Sequence, residues 1–388
     1  MNRLYLDNAA TSWPKPEAML EAMIHYQRQV GGSPGRSGHG LSIEAGRVVF
    51  ETREGLASLF HIDDPLRIVF SKNATEALNM VLMGLLRPGD HVITTGMEHN
   101  AVMRPLRFLA GQGIDLTVIP CSPRGELDPA DVEAAFRHHT RLVILTHASN
   151  VTGTIMPVRE IGNLVRPREG VFFCVDAAQT AGALPIDTQD MAIDLLAFTG
   201  HKSLFGPQGT GGLYIRKGIE LELPPLMRGG TGSRSEFEQQ PDFLPDKYES
   251  GTPNAIGLAG LGAGVAFLLG EGLEAIRNRE ERLTGRLLSG MAAMGEGVRV
   301  YGPGAAERQV PVVSFNVRGI SPSDAAFYLE EHWGILCRPG LHCAPSAHRT
   351  MGTFPGGTVR FSLGYFLDEN AVDRALEAVA ALVERGGP

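Results

Sequence analysis

Asp176 closes the apolar run Val171–Val175 and precedes the small-residue turn Ala177-Ala178-Gln179, while Lys202 follows a second run in Phe198-Thr199-Gly200-His201-Lys202. Runs of this kind read as strands covered on both faces, so a carboxylate and an amine are expected at neighbouring strand ends. That pair suits pyridoxal 5'-phosphate, whose pyridine nitrogen an acid keeps protonated and whose aldehyde a lysine captures. A single lysine is more often a solvated surface group. The reading therefore needs companions.

Several stand at other predicted strand ends. Ser71-Lys72-Asn73-Ala74-Thr75-Glu76 leaves one strand and opens a helix, so the Ala74 and Thr75 amides and the Thr75 hydroxyl can meet a phosphate. A plain N-cap would explain the same residues. His99, in Glu98-His99-Asn100, offers an imidazole that can lie on a pyridine ring, and Asn150 offers an amide for an anionic oxygen. Capping and turn roles are the alternatives. Arg360 lies in the run Val359–Leu363, and its planar fork suits bidentate carboxylate binding, although a strand arginine is often only a surface ion pair. Cys343 sits in the Gly/Pro-bounded loop Arg338-Pro339-Gly340-Leu341-His342-Cys343-Ala344. Cys174, inside an apolar run, reads as structural; Cys343, beside His342, reads as an accessible thiol able to become a thiolate.

The elements that must carry these groups alternate. Arg67–Phe70, His91–Thr95, Leu116–Pro120, Leu142–His147, Val171–Asp176, Leu195–Thr199 and Gly212–Ile215 read as seven strands. Helices are expected between them at Thr75–Leu86, Ala101–Gly111 and Pro129–His138, the last capped by Asp128. This predicts an α/β domain with a mostly parallel seven-stranded sheet whose site lies at the carboxyl ends of its strands. Residues 222–246 form a long Pro/Gly-rich loop. Beyond it, helices at Ala255–Gly270, Leu273–Ala293, Pro322–His332 and Glu369–Arg385 join strands at Val298–Tyr301, Val312–Val317, Ile335–Arg338 and Val359–Leu363 in a smaller α+β unit.

Composition excludes other classes. A net charge of −8 and no Lys/Arg-rich run give no field for nucleic acid. Ala255–Leu269 is apolar but too short for a membrane span, and residues 1–15 lack an export signal's continuous apolar core, so a cytoplasmic protein is expected. The cysteines at 121, 174, 337 and 343 make no disulfide framework, and no second Cys/His pair accompanies Cys337 and Cys343, so no metal site is expected.

The motifs together resemble a family. Leu6-Asp7-Asn8-Ala9-Ala10-Thr11, Ala74-Thr75-Glu76, Glu98-His99-Asn100, Ser149-Asn150-Val151-Thr152-Gly153-Thr154, Val175-Asp176-Ala177-Ala178-Gln179, Thr199-Gly200-His201-Lys202 and Glu249-Ser250-Gly251-Thr252-Pro253-Asn254 occur in family order. From about residue 4 to residue 375 the chain resembles the class V aminotransferase group, specifically the cysteine desulfurases and selenocysteine lyases. The resemblance implies the aspartate-aminotransferase-like fold, with residues 14–260 as the large cofactor domain and residues 1–13 and 261–388 as the small one. It makes Lys202 the Schiff-base lysine, Asp176 the partner of the pyridine nitrogen, Gln179 the donor to the ring oxygen and His99 the stacking residue. Ala74, Thr75, Thr199 and His201 would hold the phosphate, with Thr252 reaching it from the other subunit of a homodimer. Asn150 and Arg360 would hold the substrate carboxylate.

The 338–344 loop resembles that of the second group of cysteine desulfurases, with Leu341 where many relatives have a further histidine. By that likeness L-cysteine is cleaved to L-alanine and Cys343 takes the sulfur as a persulfide, with a protein among the final acceptors the likeness allows. Lys202, Cys343 and His99 are then the catalytic groups. The alternatives are a selenocysteine lyase or other class V aminotransferase or lyase in which Cys343 is incidental, and a cofactor-binding scaffold without activity.

Overall fold

The computed structural model describes residues 3–35 and 38–386. After a two-residue strand β1 (Leu4–Tyr5), seven strands form the main sheet: β2 (Ile68–Ser71), β3 (His91–Thr95), β4 (Asp115–Ile119), β5 (Thr140–Thr146), β6 (Phe172–Asp176), β7 (Leu195–Thr199) and β8 (Gly211–Ile215). Their order is β2-β8-β7-β6-β5-β3-β4. From β4 to β7 neighbours run parallel, whereas β8 is antiparallel to both β7 and β2. All seven expected strands are present, each with ends close to those read from the sequence.

Why these runs are apolar throughout is visible in the core. Side chains alternate across a strand, so Leu142, Ile144, Cys174 and Ala197 enter one core with helices Ala74–Leu85 and Asn100–Ala110. Val143, Leu145, Phe173, Val175, Leu196 and Phe198 enter the other, with helices Gly40–Leu59 and Ala255–Glu271. Helix Ala255–Glu271 comes close to the lysine loop because it has little side chain there: a Cβ at Gly264 would stand 2.4 Å from the Leu204 carbonyl oxygen. Among the described residues no single helix is long and apolar enough to cross a membrane.

The second layer holds β9 (Val298–Tyr301), β10 (Val312–Val317), β11 (Ile335–Leu336), β12 (Arg338–Gly340) and β13 (Thr358–Ser362). β12, β13, β10 and β9 make one antiparallel sheet, and β11 pairs with β1 instead. The single strand expected at Ile335–Arg338 is thus two short ones, because the chain changes partners at Cys337. Leu4 and Leu6 share the core of this layer with Leu283, Phe315 and Phe361. Leu261, Val265 and Leu268 pack beneath the main sheet, so the division expected after residue 260 falls inside helix Ala255–Glu271.

Other differences are local. The helix expected to reach His138 is Pro129–Ala134, capped by Asp128 Oδ1 on the Ala130 amide as expected. It stops because the chain turns into β5, with the Arg137 amide donating to Thr140 Oγ1 at 2.7 Å. Helices Glu17–His25, Gly40–Leu59, Val158–Val165 and Pro345–Thr350 are present where no element was expected.

Candidate active site

The carboxyl ends of β5, β6 and β7 open on a cavity of about 320 Å³. Ala74, Thr75, His99, Asn150, Asp176, Gln179, Thr199, His201, Lys202, Cys343 and Arg360 all line it. Of the site residues read from the sequence, only Thr252 is absent. It is exposed and borders a separate cleft with Ser33, Gly230 and Glu249. A larger space of about 830 Å³ opens at the opposite, amino end of β6 and β7, where the charges are largely spent on one another, as in Arg216 with Asp194 and Arg67 with Glu220.

Lys202 lies between opposing influences. Burial lowers its pKa to about 8, with Asp176 pulling it up and Arg360 and Arg338 pulling it down. Asp176 is itself raised by burial, against the Ala178 amide that donates to its Oδ1 at 2.9 Å and the nearby Lys202 charge. The lysine loop is strapped from the N-terminal segment. Ser12 Oγ donates to the Lys202 carbonyl at 2.8 Å, and Lys15 Nζ and Thr11 Oγ1 donate to the His201 carbonyl at 2.9 and 3.0 Å.

His99 caps helix Asn100–Ala110, its Nδ1 accepting from the Ala101 amide at 3.0 Å. That assigns the proton of the neutral ring to Nε2. Burial, then the charges of Lys202, Arg104 and Arg360, lower its pKa to about 4. Gln179 Nε2 donates to the Ala9 carbonyl at 3.1 Å, which fixes the direction of its amide.

One end of the cavity is built for an anion. Helix Ala74–Leu85 starts there, with Asn73 Oδ1 accepting the Glu76 amide and leaving the first amides of the helix free. Thr199 Oγ1 and His201 Nδ1 are buried with no hydrogen-bond partner. Two orphaned polar atoms beside a helix start are the donors a phosphate group would satisfy.

The other end is cationic. Arg360 is 2% exposed. Its Nη1 donates to the Asn150 carbonyl at 2.9 Å and its Nη2 to Asp7 Oδ1 at 2.7 Å, while Nε is buried without a partner. Asn150 Nδ2 donates to the His342 carbonyl at 2.7 Å. Cys343 is exposed, and both His342 (φ 49°) and Cys343 (φ 58°) have left-handed backbone. Two such non-glycine residues in a row cost about 1–3 kcal/mol each, a strain tolerated where surrounding bonds impose it.

His342 is not a cation beside the thiol: burial, aided by Arg360, His348 and Arg338, pushes its pKa down to about 2. Its Nε2 meets Thr358 Oγ1 at 3.0 Å, so the ring braces the loop. The charges on this side are Arg360 and Arg338, both lining the cavity.

Sequence reasoning passed over Asp7, Arg338 and Glu98. All three lie inside quoted motifs, but their roles depend on contacts far along the chain. Glu98 is fully buried, accepting from Thr95 Oγ1 at 2.6 Å and the Thr146 amide at 3.0 Å, and burial first, then Asp176, raises its pKa to about 8. Of these two buried carboxyls, Asp176 is the one whose charge acts on Lys202.

Residues 4–375 match the family described as aminotransferase class-V. A probable cysteine desulfurase of Methanothermobacter thermautotrophicus is 34% identical, covering 98% of this chain and 96% of its own. One from Pyrococcus abyssi is 36% identical over 98% of this chain and 94% of its own. The apo structure of cysteine desulfurase from Thermococcus onnurineus NA1 is similar at a TM-score of 0.93 and 35% identity, covering 99% of this chain and 95% of that one. With its fold, its cavity and these relatives in agreement, the chain belongs to the class V aminotransferase family.

Proposed function

We propose that this protein is a pyridoxal 5'-phosphate-dependent cysteine desulfurase that converts L-cysteine to L-alanine and carries the sulfur as a persulfide on Cys343. The observation that carries the reading is one cavity joining Lys202 and Asp176, an anion-ready end, buried Arg360 and an exposed cysteine. Relatives named cysteine desulfurase along nearly the whole chain support the choice of reaction.

The residues fit the cofactor. Thr199 Oγ1, His201 Nδ1 and the Ala74 and Thr75 amides would hold its phosphate, Asp176 its pyridine nitrogen, Gln179 its ring oxygen and His99 its face. When bound, the cofactor supplies an electron sink that labilises bonds at the substrate's Cα and Cβ. Lys202 would anchor it and would accept the Cα proton on Nζ, a task suited to an amine held near pKa 8. Asn150 and Arg360 orient the substrate carboxylate, leaving its side chain toward the cysteine loop. The Cys343 thiolate attacks the substrate sulfur; the new S–S bond forms as Cβ–S breaks with its electron pair left on Cβ, carbon takes up the proton that Cys343 gave up on becoming a thiolate, and the product leaves as alanine.

The exposed Thr252 fits a homodimer in which it completes the partner's phosphate site, and exposure of Cys343 fits onward transfer to a protein acceptor. The direct test is incubation of the cofactor-loaded chain with L-cysteine. Alanine, sulfide on adding a reductant, and a persulfide on the Cys343 peptide are expected; sustained amino transfer to a keto acid without alanine would overturn the reading.

A further inference from the structure

Arg338 and Arg360 stand directly opposite each other across β12 and β13. Like charges in that register repel, and Arg360 is buried almost completely. One carboxylate holds both. Asp7 Oδ1 accepts from Arg360 Nη2 at 2.7 Å and Asp7 Oδ2 from Arg338 Nε at 3.1 Å. The N-terminal segment delivers it: the Leu6 amide donates to the Leu336 carbonyl at 2.8 Å, and Asp7 bridges to Ser362 beyond β13's Arg360. Asp7 itself does not line the cavity, whereas both arginines do.

Two guanidinium groups and one carboxylate leave a single net positive charge at this end. We propose that Asp7 is a specificity-determining residue: by neutralising one of the two arginines, it matches the cavity to amino acids whose only acidic group is the α-carboxylate and disfavours those with a second. Once one carboxylate has been taken up, a second acidic group would be desolvated against a cluster with no charge left to offer. The inference rests on the reading of Arg360 as the carboxylate site.

Asp7→Asn keeps the side-chain volume and one acceptor but frees the second positive charge. Calorimetric titration of the cofactor-loaded chain with propionate and with succinate, neither of which has an amine to react, reads the effect. The succinate-to-propionate affinity ratio should rise on the order of tenfold in Asp7→Asn, as expected for one unpaired charge nearby. Asp7→Asn combined with Arg338→Gln restores the single net charge and should return the ratio to that of the parent. Arg338→Gln alone should lower it, which gives a readout if Asp7→Asn fails to fold. A merely structural Asp7 would weaken both acids together; an unchanged ratio in the folded variants overturns the proposal. Propionate binding undiminished in Arg360→Gln would instead sink the reading beneath it.

Discussion

The Asn100 amide donates to the Cys343 carbonyl at 2.8 Å. Asn100 begins the helix that His99 caps, so the start of that helix and the cysteine loop are joined by main chain. Asn150 Nδ2 grips the preceding carbonyl, that of His342. The loop's left-handed residues are thus held by bonds that do not involve the Cys343 side chain, and Sγ is left at the cavity edge.

Cys343→Ser should therefore leave fold, cofactor spectrum and substrate binding intact while abolishing persulfide formation from L-cysteine. Alanine release and mass spectrometry of the loop peptide measure this together. Release of alanine at the parent rate would make Cys343 incidental and shift the reading to a lyase.

Lys202 gives a prediction about pH. Its neutral amine is the nucleophile that captures the cofactor, and burial places half-neutralisation at about 8 instead of the ordinary 10.5. Deprotonation increases as pH rises, so cofactor capture by the stripped chain should climb from about pH 7 and level off above about pH 9. A profile still rising at pH 10 would show an unperturbed lysine. Lys202→Ala should lose the borohydride-reducible bond to the cofactor, and persistence of that bond would identify a different lysine.

Arg360 holds the Asn150 carbonyl and Asp7 with two different nitrogens and keeps Nε spare. A lysine ammonium cannot reproduce that fork. Arg360→Lys should lower kcat/KM for L-cysteine by the equivalent of about 2–5 kcal/mol, with the cofactor absorbance retained. An unchanged value would assign the carboxylate to another group.

How much was legible depended on whether a residue's environment was local. The main strands declared themselves because burial on both faces demands unbroken apolar runs, and Asp176 and Lys202 were readable as polar residues ending such runs. Helix Gly40–Leu59 was not, since Gly46, Gly55 and its charged residues blur the helical period although Ala45, Val49 and Leu56 are buried. Helix Glu17–His25 buries no residue fully within the chain. Asp7 was quoted only as part of a motif, because its partner Arg360 lies 353 positions away. His342 was legible only as the neighbour of an accessible thiol, because its deep burial, which keeps the ring neutral, shows only in the folded chain.

Thr252 is the one predicted site residue that a single chain leaves outside the cavity, and its exposure suits a contact made across a dimer. Mixing Lys202→Ala protomers with Thr252→Ala protomers distinguishes the arrangements. If Thr252 serves the partner's site, each mixed dimer contains one complete site, formed by the Lys202 of the Thr252→Ala protomer and the Thr252 of the other. Cofactor affinity and alanine formation should then recover at that site. If Thr252 acts within its own chain, no site in the mixture is complete and nothing recovers. Full turnover by a dilute, demonstrably monomeric sample would remove the dimer from the mechanism altogether.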